Sequence, residues 1–274
     1  MDERAIRIGN LDVHLVSDAA GVGELAARLV VARVAANPRL TLALPTGKTP
    51  LPMYRALVKW YGKGMVDLSR TRFFNLDELL GLSRAHPASY AAYLRREFLM
   101  RVNASPRRTH LLNGAARYPL RECVRCERRI VWAGGLDLAI LGIGRNGHIA
   151  FNEPGSPFDS HTRVVRLTPQ TVSDNGFYEY RDELAQPYSD APAVYALTMG
   201  IGTILRAREI ILLASGLRKA GIVARALQER PTTSVPASAL QLHPRVSVIL
   251  DREAAREMGL SPISGRERAG KGTG

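Results

Sequence analysis

Short apolar runs alternate with longer amphipathic segments along most of this chain. The runs are rich in leucine, isoleucine and valine and have few polar interruptions, which is typical of strands covered on both faces of a sheet. They predict strands at residues 6–16, 40–44, 72–76, 136–141, 209–214 and 246–250.

The segments between these runs carry helix signals. Asp18 is a candidate N-cap for a helix over residues 19–36, which Asn37-Pro38 ends. Strands that alternate with helices pair in parallel through right-handed crossovers, so the pattern predicts an α/β fold. Further helices are predicted at residues 51–61, 89–100 and 119–132, and between residue 219 and Gln228.

The predicted architecture is a doubly wound, mostly parallel sheet with helices on both faces, of the Rossmann-like type. The chain has no internal repeat and no low-complexity linker, so we expect a single domain over residues 1–262. Residues 263–274 are small and basic and contain glycine, which is typical of a flexible tail.

Composition and the first residues of the chain limit the compartment and the partners that we expect for this protein. Hydrophobic residues make up 46% of the chain, which allows a sizeable core. The sequence has no apolar run of the roughly 18 residues that a membrane span needs. The first residues, Met1 to Arg4, lack the apolar region of a signal peptide. We therefore expect a cytoplasmic protein with no membrane partner.

The chain is strongly basic, with a formal net charge of +13 and a pI of about 10.3. Such a charge fits either a nucleic-acid partner or a small anionic substrate. The cations are nearly all arginine and are spread along the sequence, and no nucleic-acid-binding motif is present. We expect a small anionic substrate and no nucleic acid.

Cys123 and Cys126 are the two cysteines of the chain and form a single CxxC motif. A redox pair or half of a metal site would use this spacing. A zinc site needs four ligands, however, and the surrounding residues 119–132 have an amphipathic helical pattern. We interpret both cysteines as ordinary helix positions and expect no metal.

Four segments rich in polar residues each follow a predicted strand. They cover residues 45–50, 75–81, 142–154 and 215–219. The carboxyl ends of parallel strands meet at one edge of a sheet, where α/β proteins bind ligands. We expect the four loops to form one site.

The first and fourth loops carry anion-binding chemistry. Backbone N–H groups at a helix start, together with a lysine ammonium, favour phosphate. An ordinary turn and a solvated helix lysine are the alternatives. The candidate residues are Thr46, Gly47, Lys48, Thr49 and Lys219.

The second loop contains adjacent carboxylates, Asp77 and Glu78. A carboxylate at a strand end acts as a base when burial raises its pKa. Neighbouring residues of an extended segment point in opposite directions, so we expect one of the two to face the site. A helix or turn cap is the alternative role.

The third loop has the densest chemistry of the chain. It combines three glycines, amides and a carboxylate around His148, whose imidazole carries protons near neutral pH. Glu153, five positions later, can orient that ring. A lone histidine is more often structural, but this composition is unlike that of a packing segment.

Six segments of the chain form a specific set of motifs, among them Gly-His-Ile-Ala-Phe-Asn-Glu-Pro at residues 147–154. The segments are residues 44–50, 74–78, 86–90, 111–114, 142–154 and 238–244. In these segments, and in order from about residue 8 to about residue 255, the chain resembles glucosamine-6-phosphate deaminases, which belong to a wider group that includes 6-phosphogluconolactonases. Lactonases continue differently after Gly147-His148, so that branch fits poorly.

The resemblance implies that an aldose 2-amino-sugar 6-phosphate becomes a ketose 6-phosphate and ammonia without a cofactor or a metal. His148 would assist ring opening, and Asn146 and Glu153 would hold that histidine. Asp77 would move the C2 proton to C1. Residues 46–49, with Gly144 and Lys219, would bind the substrate and its phosphate.

Other functions stay open at this point. An enzyme of the same fold could act on galactosamine 6-phosphate or on a lactone, and a non-catalytic protein could sense a sugar phosphate. The number of subunits is open as well, and a homo-oligomer is allowed.

Three positions depart from the pattern of the family. Many members have aspartate where this chain has Asn146, and an amide can orient the imidazole but cannot offset its positive charge. Well-studied members place an arginine on the phosphate where Phe177 stands here. Lys48 occupies a position that is usually small, and we hypothesise that it replaces this arginine.

Overall fold

The computed structural model of the protein describes residues 3–180, 184 and 193–259. Within those ranges the strands form a sheet of eight and a sheet of three. In chain order the strands are β1 (Arg4–Ile8), β2 (Leu11–Val16), β3 (Thr41–Leu44), β4 (Arg72–Asn75), β5 (Asp77–Leu79), β6 (Thr109–His110), β7 (Leu138–Gly142), β8 (Arg163–Arg166), β9 (Tyr195–Thr198), β10 (Glu209–Ala214) and β11 (Val246–Asp251).

The five predicted helices are present between these strands, and two short helices that were not predicted are also present. Short 3₁₀ turns add to several of them, for example Leu217–Lys219 before the last helix. The α-helices that we describe are α1 (Ala19–Ala36), α2 (Leu51–Gly62), α3 (Tyr90–Glu97), α4 (Pro119–Trp132), α5 (Pro169–Asp174), α6 (Ile201–Ile204) and α7 (Ala220–Gln228).

The large sheet has the order β1-β2-β11-β10-β7-β3-β4-β6. All neighbouring pairs are parallel except β1 with β2, which is antiparallel. The prediction of a mostly parallel sheet is confirmed.

Helices cover both faces of this sheet, because alternate residues of each strand point to opposite sides. In β7, Leu138 and Ile140 pack with buried residues of α1, α2 and α3. Ala139 and Leu141 pack instead with α4 and α7. This two-sided core confirms the doubly wound architecture.

Most predicted elements match the structure closely. The helix over residues 19–36 has the predicted bounds, and Asp18 accepts a hydrogen bond from the backbone of Gly21 as its N-cap. Cys123 and Cys126 are buried on the inner face of α4 with free thiols, and burial raises their pKa values to about 11 and about 12. Both cysteines are therefore packing residues.

Two predictions were wrong. Residues 6–16 are not one strand, since Gly9 adopts a φ of 55° and turns the chain into the β1–β2 hairpin. Asp77–Leu79, predicted as part of a loop, is a strand of the small antiparallel sheet β5-β9-β8.

Two further features concern the ends and the surface. The boundary predicted at residue 262 and the tail 263–274 lie outside the described residues. Among the helices of the described ranges, none has the length and hydropathy to cross a bilayer. Helix α4 exposes several large apolar side chains to solvent, of which Trp132 is 93% exposed.

Candidate active site

Four neighbouring strands of the large sheet lead into the four loops that the sequence singled out. β10, β7, β3 and β4 are adjacent in that order and parallel, so their carboxyl ends lie at one edge. The topology therefore brings residues 45–50, 142–154 and 215–219 to the same side of the molecule as Asp77.

The loop after β7 folds into a tight turn that presents His148. Gly144 N donates to His148 O at 2.8 Å, and Gly147 has a φ of 89°. The imidazole lies directly against Gly144, because a Cβ placed there would be 2.3 Å from the ring. Gly144 is thus needed for the position of His148, a role that differs from the predicted substrate contact.

Glu153 returns to the histidine after the chain reverses at Ala150, which has a φ of 50°. Its Oε2 lies 3.7 Å from Nδ1 of His148 and accepts a hydrogen bond of 2.7 Å from Asn146 Nδ2. Asn146 Oδ1 in turn accepts from the backbone of His148 at 3.2 Å. Histidine, amide and carboxylate therefore form one connected group.

The carboxyl of Glu153 is strongly acidic. Burial raises its pKa, but the neighbouring His148 and Thr171 side chains outweigh that effect and lower the pKa to about 2. Thr168 N also donates to Oε1 at 3.2 Å. A permanent negative charge thus stands beside the imidazole.

Asp77 and Glu78 have different surroundings, as the alternation of a strand predicts. Asp77 is buried, and its Oδ1 has no hydrogen-bond partner among the described residues. Burial, and secondarily the charge of Glu78, raise the pKa of Asp77 well above its usual value. A buried carboxyl oxygen without a partner is available to a ligand, and a raised pKa is typical of a general base.

Glu78 caps a helix instead. Its two carboxylate oxygens accept hydrogen bonds from Ser89 Oγ at 2.9 Å and from the backbone N–H groups of Tyr90 and Ala91 at 2.8 Å each. These groups lie at the start of α3, where an acidic side chain is favoured. Leu79 N donates a fourth hydrogen bond at 2.9 Å, and burial raises the pKa of Glu78 although all four hydrogen bonds lower it.

Thr198 and Phe151 connect the region of Asp77 with the loop that carries His148. Asp77 pairs with Thr198 across the β5–β9 ladder, and Thr198 Oγ1 accepts from Phe151 N at 3.0 Å. The Phe151 ring lies 6.4 Å from the ring of His148 and 5.6 Å from that of Tyr90. The base candidate and the imidazole thus belong to one packed unit.

Tyr90 also links Asp77 to the first loop. Burial raises the pKa of Tyr90 most, the charge of Asp77 raises it further, and a hydrogen bond with Thr46 lowers it. Gly47, with a φ of 96°, is held by Tyr93 Oη, which donates to its carbonyl at 2.5 Å. Lys48 is exposed.

The fourth loop is held by hydrogen bonds to a residue that was not predicted as part of the site. Asp251, at the end of β11, accepts from Ser215 Oγ at 2.5 Å and from Gly216 N at 3.0 Å. Lys219, which follows, is half-buried, and burial lowers its pKa. The charge of Asp174 acts in the opposite direction, and that of Arg145 in the same direction.

Helix α5 was missed by the sequence reasoning. It brings Thr171 Oγ1 to 3.4 Å from His148 Nδ1, and Asp174 to a 2.9 Å ion pair with Arg145. Thr168-Pro169 was an available signal, because a threonine N-cap followed by proline is typical of a helix start.

Phe177 is a packing residue. It is 5% exposed and contacts the rings of Phe151 and Tyr90 at centroid distances of 6.2 and 6.4 Å. No cation occupies that position in this chain, which is consistent with the departure noted in the sequence.

The fold and this site define a Rossmann-like α/β protein with an acid–base group and adjacent cations at the carboxyl edge of its sheet. The family model described as glucosamine-6-phosphate isomerases/6-phosphogluconolactonase matches residues 17–249. The chain belongs to this family.

Two proteins of similar sequence are named glucosamine-6-phosphate deaminases. The glucosamine-6-phosphate deaminase of Alkaliphilus metalliredigens (strain QYMF) is 41% identical over 245 residues, covering 89% of this chain and 98% of its own. That of Hahella chejuensis (strain KCTC 2396) is 44% identical over 225 residues, covering 82% and 83%.

Solved structures agree in fold. A monomeric glucosamine-6-phosphate deaminase of the NagB superfamily superimposes with a TM-score of 0.82 at 39% identity, covering 89% of this chain and 99% of its own. The 6-phosphogluconolactonase of Trypanosoma cruzi has a TM-score of 0.71 at 20% identity, covering 95% and 100%, and shares the fold alone.

Proposed function

We propose that this protein is an amino-sugar-phosphate deaminase that converts glucosamine 6-phosphate and water into fructose 6-phosphate and ammonia. The observation that carries the proposal is the joining of a buried, unpaired carboxyl, Asp77, to a histidine–carboxylate pair, His148 and Glu153. The names of its relatives support the same reaction.

His148 opens the sugar ring in this proposal. The imidazole moves a proton at the ring oxygen, so that the C1–O5 bond breaks and C1 becomes an aldehyde. The carboxylate of Glu153 stabilises the imidazolium form, and Asn146 fixes the orientation of both groups. Gly144 leaves room for the ring.

Asp77 then acts as the general base. It takes the proton from C2, next to the aldehyde, and returns it to C1. The electron pair of the C2–H bond passes through an enolamine while O1 takes a proton from the C2 ammonium group, so that C2 becomes an iminium carbon and C1 becomes a hydroxymethyl carbon. Water adds to C2 and ammonia leaves, which gives the ketose. The proton transfers balance without a redox cofactor or a metal.

The phosphate provides binding energy away from the reacting carbons, which positions C1 and C2. Lys219, the backbone N–H groups of residues 46–49 and the side chains of Thr46, Lys48 and Thr49 are the proposed ligands. The lactonase alternative is supported by the fold alone, because those structures are only about one-fifth identical.

An ammonia-release assay tests the proposal. Glucosamine, galactosamine and mannosamine 6-phosphates are compared with the unphosphorylated sugars, and with 6-phosphogluconolactone for the alternative. We expect ammonia from glucosamine 6-phosphate, and fructose 6-phosphate in equal amount. Lactone hydrolysis without ammonia release would refute the proposal, and a preference for another epimer would change the substrate.

Two finer expectations accompany this proposal. We propose that the reaction takes place in the cytoplasm. The sequence allows a homo-oligomer, whereas the similar solved deaminase is a monomer. Light scattering on the full-length chain decides between these two states.

A further inference from the structure

The phosphate site as expected from the sequence lacks a second strong cation. Phe177 stands at the position where an arginine was expected and is buried in an aromatic cluster. Lys48, the hypothesised replacement, is exposed. The structure offers a better-placed cation in Arg145.

Arg145 lies in the same loop as His148, three residues before it. Its Nη1 pairs with Asp174 Oδ1 at 2.9 Å. Lys219 comes from the loop after β10, which is the neighbour of β7 in the sheet. The ammonium of Lys219 feels the charges of both Asp174 and Arg145. We call these three residues the Arg145–Asp174–Lys219 cluster.

Helix α5 holds this cluster close to the imidazole. Thr171 contacts His148 Nδ1 at 3.4 Å, and Asp174 follows three residues later. Three residues of an α-helix rise about 4.5 Å. Asp174 therefore lies less than one helical turn along α5 from the residue that contacts the histidine.

The Arg145–Asp174 pair is open to displacement. The side chains are 47% and 28% exposed, and ion pairs in such positions contribute little to stability. A phosphate dianion offers a guanidinium two parallel hydrogen bonds and more charge than a carboxylate. A phosphate ligand can thus exchange with Asp174 at small cost.

We propose that Arg145 is the second phosphate-binding cation beside Lys219, and that Asp174 is an internal anion which occupies Arg145 until the phosphate of the substrate replaces it. This inference rests on the proposed function, since it assigns the substrate's phosphate to this cluster. Arg145 and Asp174 together then set how strongly the protein favours phosphorylated over unphosphorylated sugars.

Steady-state kinetics with glucosamine 6-phosphate test the assignment of Arg145. In Arg145→Gln we expect KM to rise about 10- to 100-fold with kcat within about 3-fold, since a binding contact is lost and the reacting groups remain. Arg145→Lys keeps a cation without the bidentate geometry, so its KM should lie between that of the wild type and that of Arg145→Gln. Arg218→Gln removes an exposed charge next to Lys219 and is the matched control, with KM within about 2-fold.

Asp174→Asn separates an internal anion from a merely structural residue. We expect this variant to lower KM for glucosamine 6-phosphate about 2- to 10-fold, because the competing carboxylate is gone. A structural role would raise KM instead, and that result would overturn the part assigned to Asp174. An unchanged KM in Arg145→Gln would overturn the part assigned to Arg145.

Calorimetry with inorganic phosphate gives a readout that does not depend on turnover. We expect binding to the wild-type protein, weaker binding to Arg145→Gln and tighter binding to Asp174→Asn. If the wild type releases no ammonia from any amino-sugar phosphate but shows this order of phosphate affinities, the proposed reaction fails while the phosphate site stands. Equal affinities in all three proteins would refute the phosphate site, whatever the reaction is.

Discussion

At the scale of single residues, the unpaired carboxyl of Asp77 combines function with a cost in stability. Its raised pKa means that the folded protein favours the protonated form more than the unfolded chain does. With respect to Asp77, the free energy of unfolding is highest below the pKa of this group in the unfolded chain. It falls as the pH rises toward the pKa of the group in the folded protein.

Asp77→Asn should therefore stabilise the protein while abolishing its activity. We expect kcat to fall about 10²- to 10⁴-fold from loss of the base, and the free energy of unfolding near pH 7 to rise by about 1–3 kcal/mol. The gain should shrink toward pH 4. Denaturant titrations from pH 4 to pH 8 measure this, with the exposed Asp12→Asn as control. Parallel pH profiles for wild type and variant would contradict it.

Glu153 has the opposite linkage. Folding lowers the pKa of Glu153 from 4.5 to about 2, so its carboxylate adds to the free energy of unfolding above the unfolded pKa. This contribution is lost as the pH falls from 4.5 to about 2. In Glu153→Gln we expect a loss of roughly 2–3 kcal/mol near pH 7 that disappears toward pH 2, and a fall in kcat of about 10²-fold. Unfolding titrations against pH and initial rates check both. A destabilisation of equal size at pH 2 and pH 7 would refute the linkage.

The sequence indicated these residues through their types and positions, but not their surroundings. Asp77 and Glu78 are equivalent in residue type and position, and alternation predicted only that one of them faces the site, so the choice of Asp77 came from the resemblance to the family. Which one does so depends on where α3 begins, and that is a tertiary contact. No sequence pattern indicated Arg145, because its proposed role depends on Asp174 and Lys219, which are both distant from it along the chain.

At the scale of elements, Glu78 shows how one side chain fixes a helix to the site. Both of its carboxylate oxygens accept hydrogen bonds from N–H groups, and a glutamine would turn an NH₂ group toward one of those donors. Glu78→Gln should lower the free energy of unfolding by about 1–3 kcal/mol with a small effect on KM.

Denaturant unfolding with Glu97→Gln as control tests this cap, since Glu97 lies in the last turn of the same helix and pairs with the exposed Arg96. We expect the control to change stability by less than about 0.5 kcal/mol. Equal effects of the two substitutions would show that Glu78 is not a cap.

Elements were predictable where a single pattern sets them. Helix α1 has an N-cap, an apolar face and a proline after its end, and β10 is a continuous apolar run. The hairpin at Gly9 was missed because apolar and polar residues alternate in both of its strands, so the pattern resembles one long strand. The small sheet was missed because β5 has only three residues, two of them acidic. Its pairing comes from β9, more than a hundred residues later.

At the scale of the whole molecule, the two ends of the sheet have separate tasks. The carboxyl end holds the site, and the amino end of β10 holds Glu209, which is 6% exposed. Glu209 pairs with Arg33 of α1 at 2.7 and 2.8 Å and with Arg245 at 3.5 Å. This cluster ties a helix to the sheet far from the chemistry.

Glu209→Ala should therefore cost about 1–3 kcal/mol of unfolding free energy and leave KM and kcat unchanged. Arg33 is 35% exposed and can be rehydrated, which limits the loss. The control is Glu229→Gln, whose ion pair with Arg225 is more than half exposed on both sides. Thermal unfolding and KM are measured together. An altered KM in Glu209→Ala would show that the two ends are coupled.

Trp132, almost fully exposed on α4, makes that face observable by fluorescence. The chain has two tryptophans, and the other, Trp60, is partly buried against the core of α1 and α2. Acrylamide should quench Trp132 strongly in the isolated protein, and any macromolecule that covers α4 should shield it. The emission of this indole therefore reports, without a label, whether a partner covers the exposed face of α4.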